Sequence, residues 1–155
     1  MTQEVLVLEV DDPAITRLLE DLRRKVAKGK VPKKAHITIR GPYSSRISAR
    51  TIEDIQNRLQ SGDKIRIVGI SRFSSSLEDV VYLAVDGEGL RKVWWKPDFP
   101  IKDFGFNPHI TLFRGEREQA DEVESWVRKA GLEETLSKWH LATDAIGQKS
   151  FSLLD

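Results

Sequence analysis

The chain has 155 residues, 32% of them charged, with a formal net charge of +1 and no cysteine. That length suits one domain with a real core over residues 1–155, and the even charge balance excludes a protein built to coat long nucleic acid. The missing cysteines exclude disulfides, thiolate metal sites and a cysteine nucleophile.

In chain order, Val5, Leu6, Val7, Leu8 and Val10 predict a largely buried strand. Asp12-Pro13 then reads as a helix cap followed by proline at the first helical position, with Ile15, Leu18, Leu19, Leu22 and Val26 at helical spacing up to Gly29. From Arg23 to Arg40 there are eight basic residues and no acidic one, either a solvated helix end or a rim that attracts phosphate. A short strand opening at His36 is expected to end at Gly41-Pro42. Ser48 caps a second predicted helix carrying Ile52, Ile55 and Leu59. Two strands, Lys64 to Phe73 and Val80 to Val85, form a predicted hairpin. A short helix around Gly89 to Trp95 leads through an irregular loop to a strand opening at His109, and a helix from Glu116 to Ala130 follows, with Trp126 on its apolar side. Weaker strand candidates lie around Trp139 to Thr143 and Phe151 to Leu154. No apolar run reaches membrane-spanning length, and Met1-Thr2-Gln3-Glu4 lacks the start of a secretory leader, so the expected location is the cytoplasm.

Two of the three histidines open the same pattern, His36-Ile37-Thr38-Ile39 and His109-Ile110-Thr111-Leu112, 73 positions apart. Around them, motif strand, helix, strand, strand occurs twice, which predicts two related lobes of an α+β fold. Alternation along a strand puts His36 and Thr38 on one face, likewise His109 and Thr111, with the aliphatic residues behind. Two imidazoles and two hydroxyls meeting in a cleft suit a metal-free phosphodiester reaction: one imidazole takes a proton from the attacking oxygen, the other gives one to the leaving oxygen, and the threonines hold the phosphoryl oxygens. Arg40 keeps the parity of His36 and is a further phosphate candidate, while the same rule turns Phe113 toward the site. Tyr43, Trp94 and Trp95 are candidate substrate contacts or base-stacking surfaces, and His140 is read as structural. The histidines lack short metal-ligand spacing, so no metal or other cofactor is expected.

The paired tetrapeptides resemble the twin His-x-Thr/Ser-x signature of the 2H phosphoesterase superfamily, which includes 2′-5′ RNA ligase-like proteins and cyclic nucleotide phosphodiesterases. The resemblance extends over essentially the whole chain. It implies two pseudo-symmetric lobes of antiparallel sheet plus helices around a central cleft, with His36 and His109 catalytic and Thr38 and Thr111 binding phosphate. It also implies metal-independent cleavage of a 2′,3′-cyclic phosphate, a 2′-5′ linkage or a short RNA end by a monomer. The alternatives are hydrolysis of a cyclic oligonucleotide signal, which the Trp94-Trp95 pair also fits, and a nucleotide-binding module without turnover. The expected partner is a small nucleotide or short oligonucleotide, with no membrane and no long nucleic acid.

Overall fold

Alternating apolar residues on the strands and 3.6-residue apolar stripes on the helices meet on one side of a single sheet. The structure is a computed structural model that describes residues 3–43, 46–60, 64–94, 107–132 and 135–146; the side chains of 3, 40–43, 94 and 144–146 lie outside that set. The element order is β1 (Gln3–Val10), α1 (Pro13–Lys25), β2 (His36–Tyr43), α2 (Ala49–Gln60), β3 (Ile65–Ser74), β4 (Asp79–Asp86), α3 (Glu88–Trp94), β5 (His109–Gly115), α4 (Arg117–Lys129), β6 (Thr135–Leu136) and β7 (Trp139–Ile146). Among the described residues, the strands join one seven-stranded sheet in the order β6-β3-β4-β5-β2-β1-β7, and every pairing is antiparallel.

The helices share one face of this sheet. Leu18, Leu19 and Leu22 of α1, Ile55 and Leu59 of α2, Leu90 and Val93 of α3, and Val123 and Val127 of α4 form one core cluster with Leu6, Leu8, Ile37, Ile39, Leu83 and Ile110. Residues of opposite parity lie on the second face, where Val5, Val7 and Ala142 make a small separate cluster. Trp126 is only half-buried against the main core, with the Lys25 ammonium 5.4 Å over its ring.

Three details depart from the pattern expected of the sequence. Asp12 occupies the N-cap position of α1 but makes no side-chain cap bond; its buried carboxylate accepts from Ser137 N at 3.0 Å, Ser137 Oγ at 3.2 Å and Lys138 N at 3.0 Å, tying the helix start to the approach to β7. Helix α1 stops at Lys25 because Val26 is extended, and Gly29 serves the following loop with φ 102. Strand β2 runs on through Gly41-Pro42 to Tyr43, and a register shift opposite Glu4 and Leu6 admits the proline, which has no N–H to give to a ladder.

The expected order of motif strand, helix, strand, strand is present in the first half as β2-α2-β3-β4; in the second, β5-α4 is followed by β6, a strand the sequence does not suggest, and by β7 at the expected Trp139 position, and the strands of the two halves are exchanged in space. The β3-β4 hairpin pairs with β5, the other repeat's motif strand, while β7 pairs with β1 beside β2. The two motif strands are thereby left as neighbours at the centre. Among the described residues, no helix is long and apolar enough to cross a membrane. The Phe151 to Leu154 strand expectation and the loop before Asn107 lie outside the described residues.

Candidate functional site

Strand β2 pairs with β5 through Ile37 and Ile110, both fully buried in the helix-side core. One step to either side, the antiparallel register brings His36 alongside Thr111 and Thr38 alongside His109. The four polar residues therefore share the second face, arranged diagonally about the Ile37 and Ile110 pair. Convergence comes from lateral pairing of the motif strands within one sheet. Neighbouring strands extend it into two rows: Tyr82, Thr111, His36, Glu9 and His140 in one, and Ala84, His109, Thr38, Val7 and Ala142 in the next.

The two motifs are alike in finer detail. His36 Nδ1 lies 3.1 Å from the Lys34 carbonyl and His109 Nδ1 lies 2.9 Å from the Asn107 carbonyl, in each case two residues back. A carbonyl only accepts, so Nδ1 must carry the hydrogen in both bonds, and the neutral ring then has its lone pair at Nε2. The backbone thus selects the same tautomer twice. Each motif strand also bulges directly after its threonine. On β2, Val7 partners Thr38 and Leu6 partners Arg40, skipping Ile39; on β5, Tyr82 partners Thr111 and Val81 partners Phe113, skipping Leu112.

That bulge corrects the parity reading at Phe113. The extra residue at Leu112 returns Phe113 to the helix-side core, where it is 0% exposed, and its ring fills the space beside Gly29 and Gly115. It is a core residue and not a substrate contact. Arg40 follows the equivalent bulge opposite Leu6, which removes the parity basis for placing it with His36; its side chain, those of Tyr43 and Trp94, and all of Trp95 lie outside the described residues.

Thr111 is 3% exposed, and its Oγ1 is buried without a hydrogen-bond partner among the described residues. Leaving a buried hydroxyl unmatched costs about 1–3 kcal/mol, a cost that persists where a ligand completes the bond. His36 and Thr38 are half-buried, and so is His109, whose Nε2 is shielded from solvent. The His109 ring meets Phe73 and Tyr82 edge-on at centroid distances of 5.4 and 5.2 Å, and those two rings stack on each other at 4.3 Å. Sequence reading missed both aromatics, because only the pairing of β4 with β5 brings them to the histidine.

Glu9 faces both His36 and His140 across the sheet. His140 Nε2 lies 3.0 Å from Glu9 and its Nδ1 2.6 Å from Asp11, while Lys34 Nζ lies 2.7 Å from Asp11 and 3.6 Å from Glu9. Bonding to Lys34 holds the Asp11 carboxyl below its ordinary 3.8, with His140 adding to the effect, and Asp11 in turn raises the Lys34 ammonium. Donor atoms of Glu9, Asp11 and His140 come within 4.8 Å of one another, a spacing a divalent cation can bridge, although each already serves the ion-pair network. Sequence spacing alone does not reveal this group, since Asp11 and His140 are 129 positions apart. A cavity of about 470 Å³ bounded by Glu4, Arg46, Ser48 and Thr143 lies apart from these residues and contains none of the histidines.

The sequence matches no protein-family model and no curated protein.

Proposed function

We propose that the protein is a metal-independent phosphodiesterase acting on a nucleotide phosphodiester, with His36 and His109 as the proton-transfer pair and Thr38 and Thr111 binding the phosphoryl oxygens. The observation that carries the reading is the matching Nδ1-to-carbonyl hydrogen bond of the two histidines on adjacent central strands, which leaves Nε2 as the proton-exchanging nitrogen of each ring. A neutral imidazole of that form removes a proton from the attacking water or ribose hydroxyl, and its protonated counterpart donates to the leaving oxygen. The buried Thr111 hydroxyl supplies a donor with no competing partner among the described residues. This mechanism uses no cofactor. The same reading takes the halves of the sheet on either side of the β2 and β5 boundary as two pseudo-symmetric lobes of a 2H phosphoesterase-like fold, with the substrate cleft over that boundary, in a cytoplasmic monomer.

The test is a linkage panel in EDTA: a nucleoside 2′,3′-cyclic phosphate, a 2′-5′ linked dinucleotide, a 3′-5′ cyclic dinucleotide and an RNA end, with products assigned as 2′- or 3′-phosphates. Turnover of at least one linkage with a bell-shaped pH profile is expected. Tight binding without turnover of any member identifies a nucleotide-binding module, and neither binding nor turnover refutes the reading.

A further inference from the structure

We infer that the substrate of this site is a single-stranded oligonucleotide whose chain continues past the scissile phosphate onto the lysine-rich loop between α1 and β2. The inference rests on the phosphodiesterase reading and specifies its substrate class. The loop is fixed. Lys30 and Arg114 exchange backbone hydrogen bonds of 2.8 and 2.9 Å, Arg23 Nη1 donates to the Pro32 carbonyl at 2.7 Å, Ala27 N donates to Gln119 Oε1 at 3.0 Å, and Val26 and Val31 pack on the main core. Gly29 enforces the close approach: at φ +102, an added Cβ would lie 2.4 Å from the Phe113 ring and 2.7 Å from the Arg114 carbonyl.

This places the loop at one end of the site. Arg114 is three residues beyond Thr111 on β5, so Lys30 sits roughly 10 Å along the strand from the buried hydroxyl at about 3.3 Å per residue. That reach is comparable with the Debye length at ordinary salt, so cations there act on a neighbouring phosphate of the same strand. The basic side chains of the segment divide into two sets. Arg23, Lys25 and Lys34 are engaged by Pro32, Trp126 and Asp11, and Arg24 pairs with Asp21. Lys28, Lys30 and Lys33 are exposed and make no ion pair or side-chain hydrogen bond among the described residues. A helix-capping role does not account for these three, because α1 ends at Lys25. A mononucleotide cyclic phosphate has one phosphate and leaves them unused; an oligonucleotide offers a second and a third.

The experiment compares wild-type protein with a Lys28→Gln, Lys30→Gln, Lys33→Gln variant. Binding of a fluorescent hexaribonucleotide is followed by anisotropy across a KCl series, and turnover of a nucleoside 2′,3′-cyclic phosphate is measured in parallel. The variant is expected to bind the hexamer about ten-fold more weakly or worse, with its salt slope reduced by roughly 2, at about 0.7 per lost contact on a single strand. Mononucleotide turnover is expected to change less than about two-fold, since no placed proton-transfer or phosphoryl contact is removed. Unchanged hexamer affinity and salt slope overturn the inference, as does an equal loss on the mononucleotide, which would assign the lysines to the scissile phosphate. If wild-type protein turns over no mononucleotide, the phosphodiesterase reading is what suffers, and the binding series still decides the role of the loop.

Discussion

Thr111→Val separates stability from function at the centre of the sheet. Valine keeps the branched shape and removes the hydroxyl, whose oxygen is buried and makes no hydrogen bond among the described residues of the structure. With no partner left stranded by the change, the folded state sheds a desolvation cost of about 1–2 kcal/mol. For a chain of this length that corresponds to a melting temperature higher by roughly 2–8 °C, readable by differential scanning calorimetry or circular dichroism. The same hydroxyl is proposed as a transition-state donor, and loss of one such donor lowers kcat by about 10²–10³-fold. Thr111→Val is therefore expected to be more stable and much less active, the two effects running in opposite directions. A destabilised variant with full activity would refute both the burial argument and the proposed role; a destabilised and inactive variant would show that the oxygen has a structural partner instead.

Three further outcomes follow from the packing and charge around the site. Phe113→Ala should cost about 3–5 kcal/mol by denaturant unfolding, with KM for a nucleotide probe unchanged, because the ring is core and not substrate surface. Gly29→Ala should be destabilising, since the added carbon meets both the Phe113 ring and the Arg114 carbonyl at a positive φ; thermal melting reads it, and an unchanged midpoint would contradict the geometry. The Asp11 contribution has a definite pH sign. Its carboxyl is held below 3.8 by Lys34, so the pair's stabilisation is fully present above that ordinary value and fades as pH falls through the lowered one. At this exposure it is worth no more than about 1 kcal/mol, so Asp11→Asn should lower stability at neutral pH by at most that amount, with the difference from wild type vanishing as pH falls below the lowered value and the acid limb of the stability curve slightly flatter.

Both motif strands, the helices beginning at Pro13 and Ala49, and the hairpin were legible because each rests on local periodicity or a local cap; Ser48, for instance, does accept from Thr51 N at 3.2 Å. The face-sharing of each histidine with its threonine was legible for the same reason. What local pattern could not show was pairing. That β2 and β5 are neighbours, that the hairpin joins the opposite motif strand, and that Tyr82 and Phe73 reach His109 all depend on contacts distant in sequence. Strand parity fails just past the bulge on β5, where the extra Leu112 resets the alternation and turns Phe113, two residues after Thr111, into the core; the equivalent bulge at Ile39 removes the basis for reading Arg40 by parity. Asp12 holds the N-cap position before Pro13 that the sequence predicts, but its carboxylate is claimed by Ser137 and Lys138, over a hundred positions away, a competition that no window around Pro13 contains.

The central claim is that His36 and His109 act as one unit in a metal-free proton relay. Its most direct test is the turnover in EDTA of whichever linkage the panel identifies, by wild type, His36→Ala, His109→Ala and the double variant, with folding verified by melting. Residues that act together lose activity together: each single variant should fall by about 10³-fold or more, and the double variant should be scarcely worse than either. Full turnover in both single variants would contradict the account, and so would losses that simply multiply in the double variant.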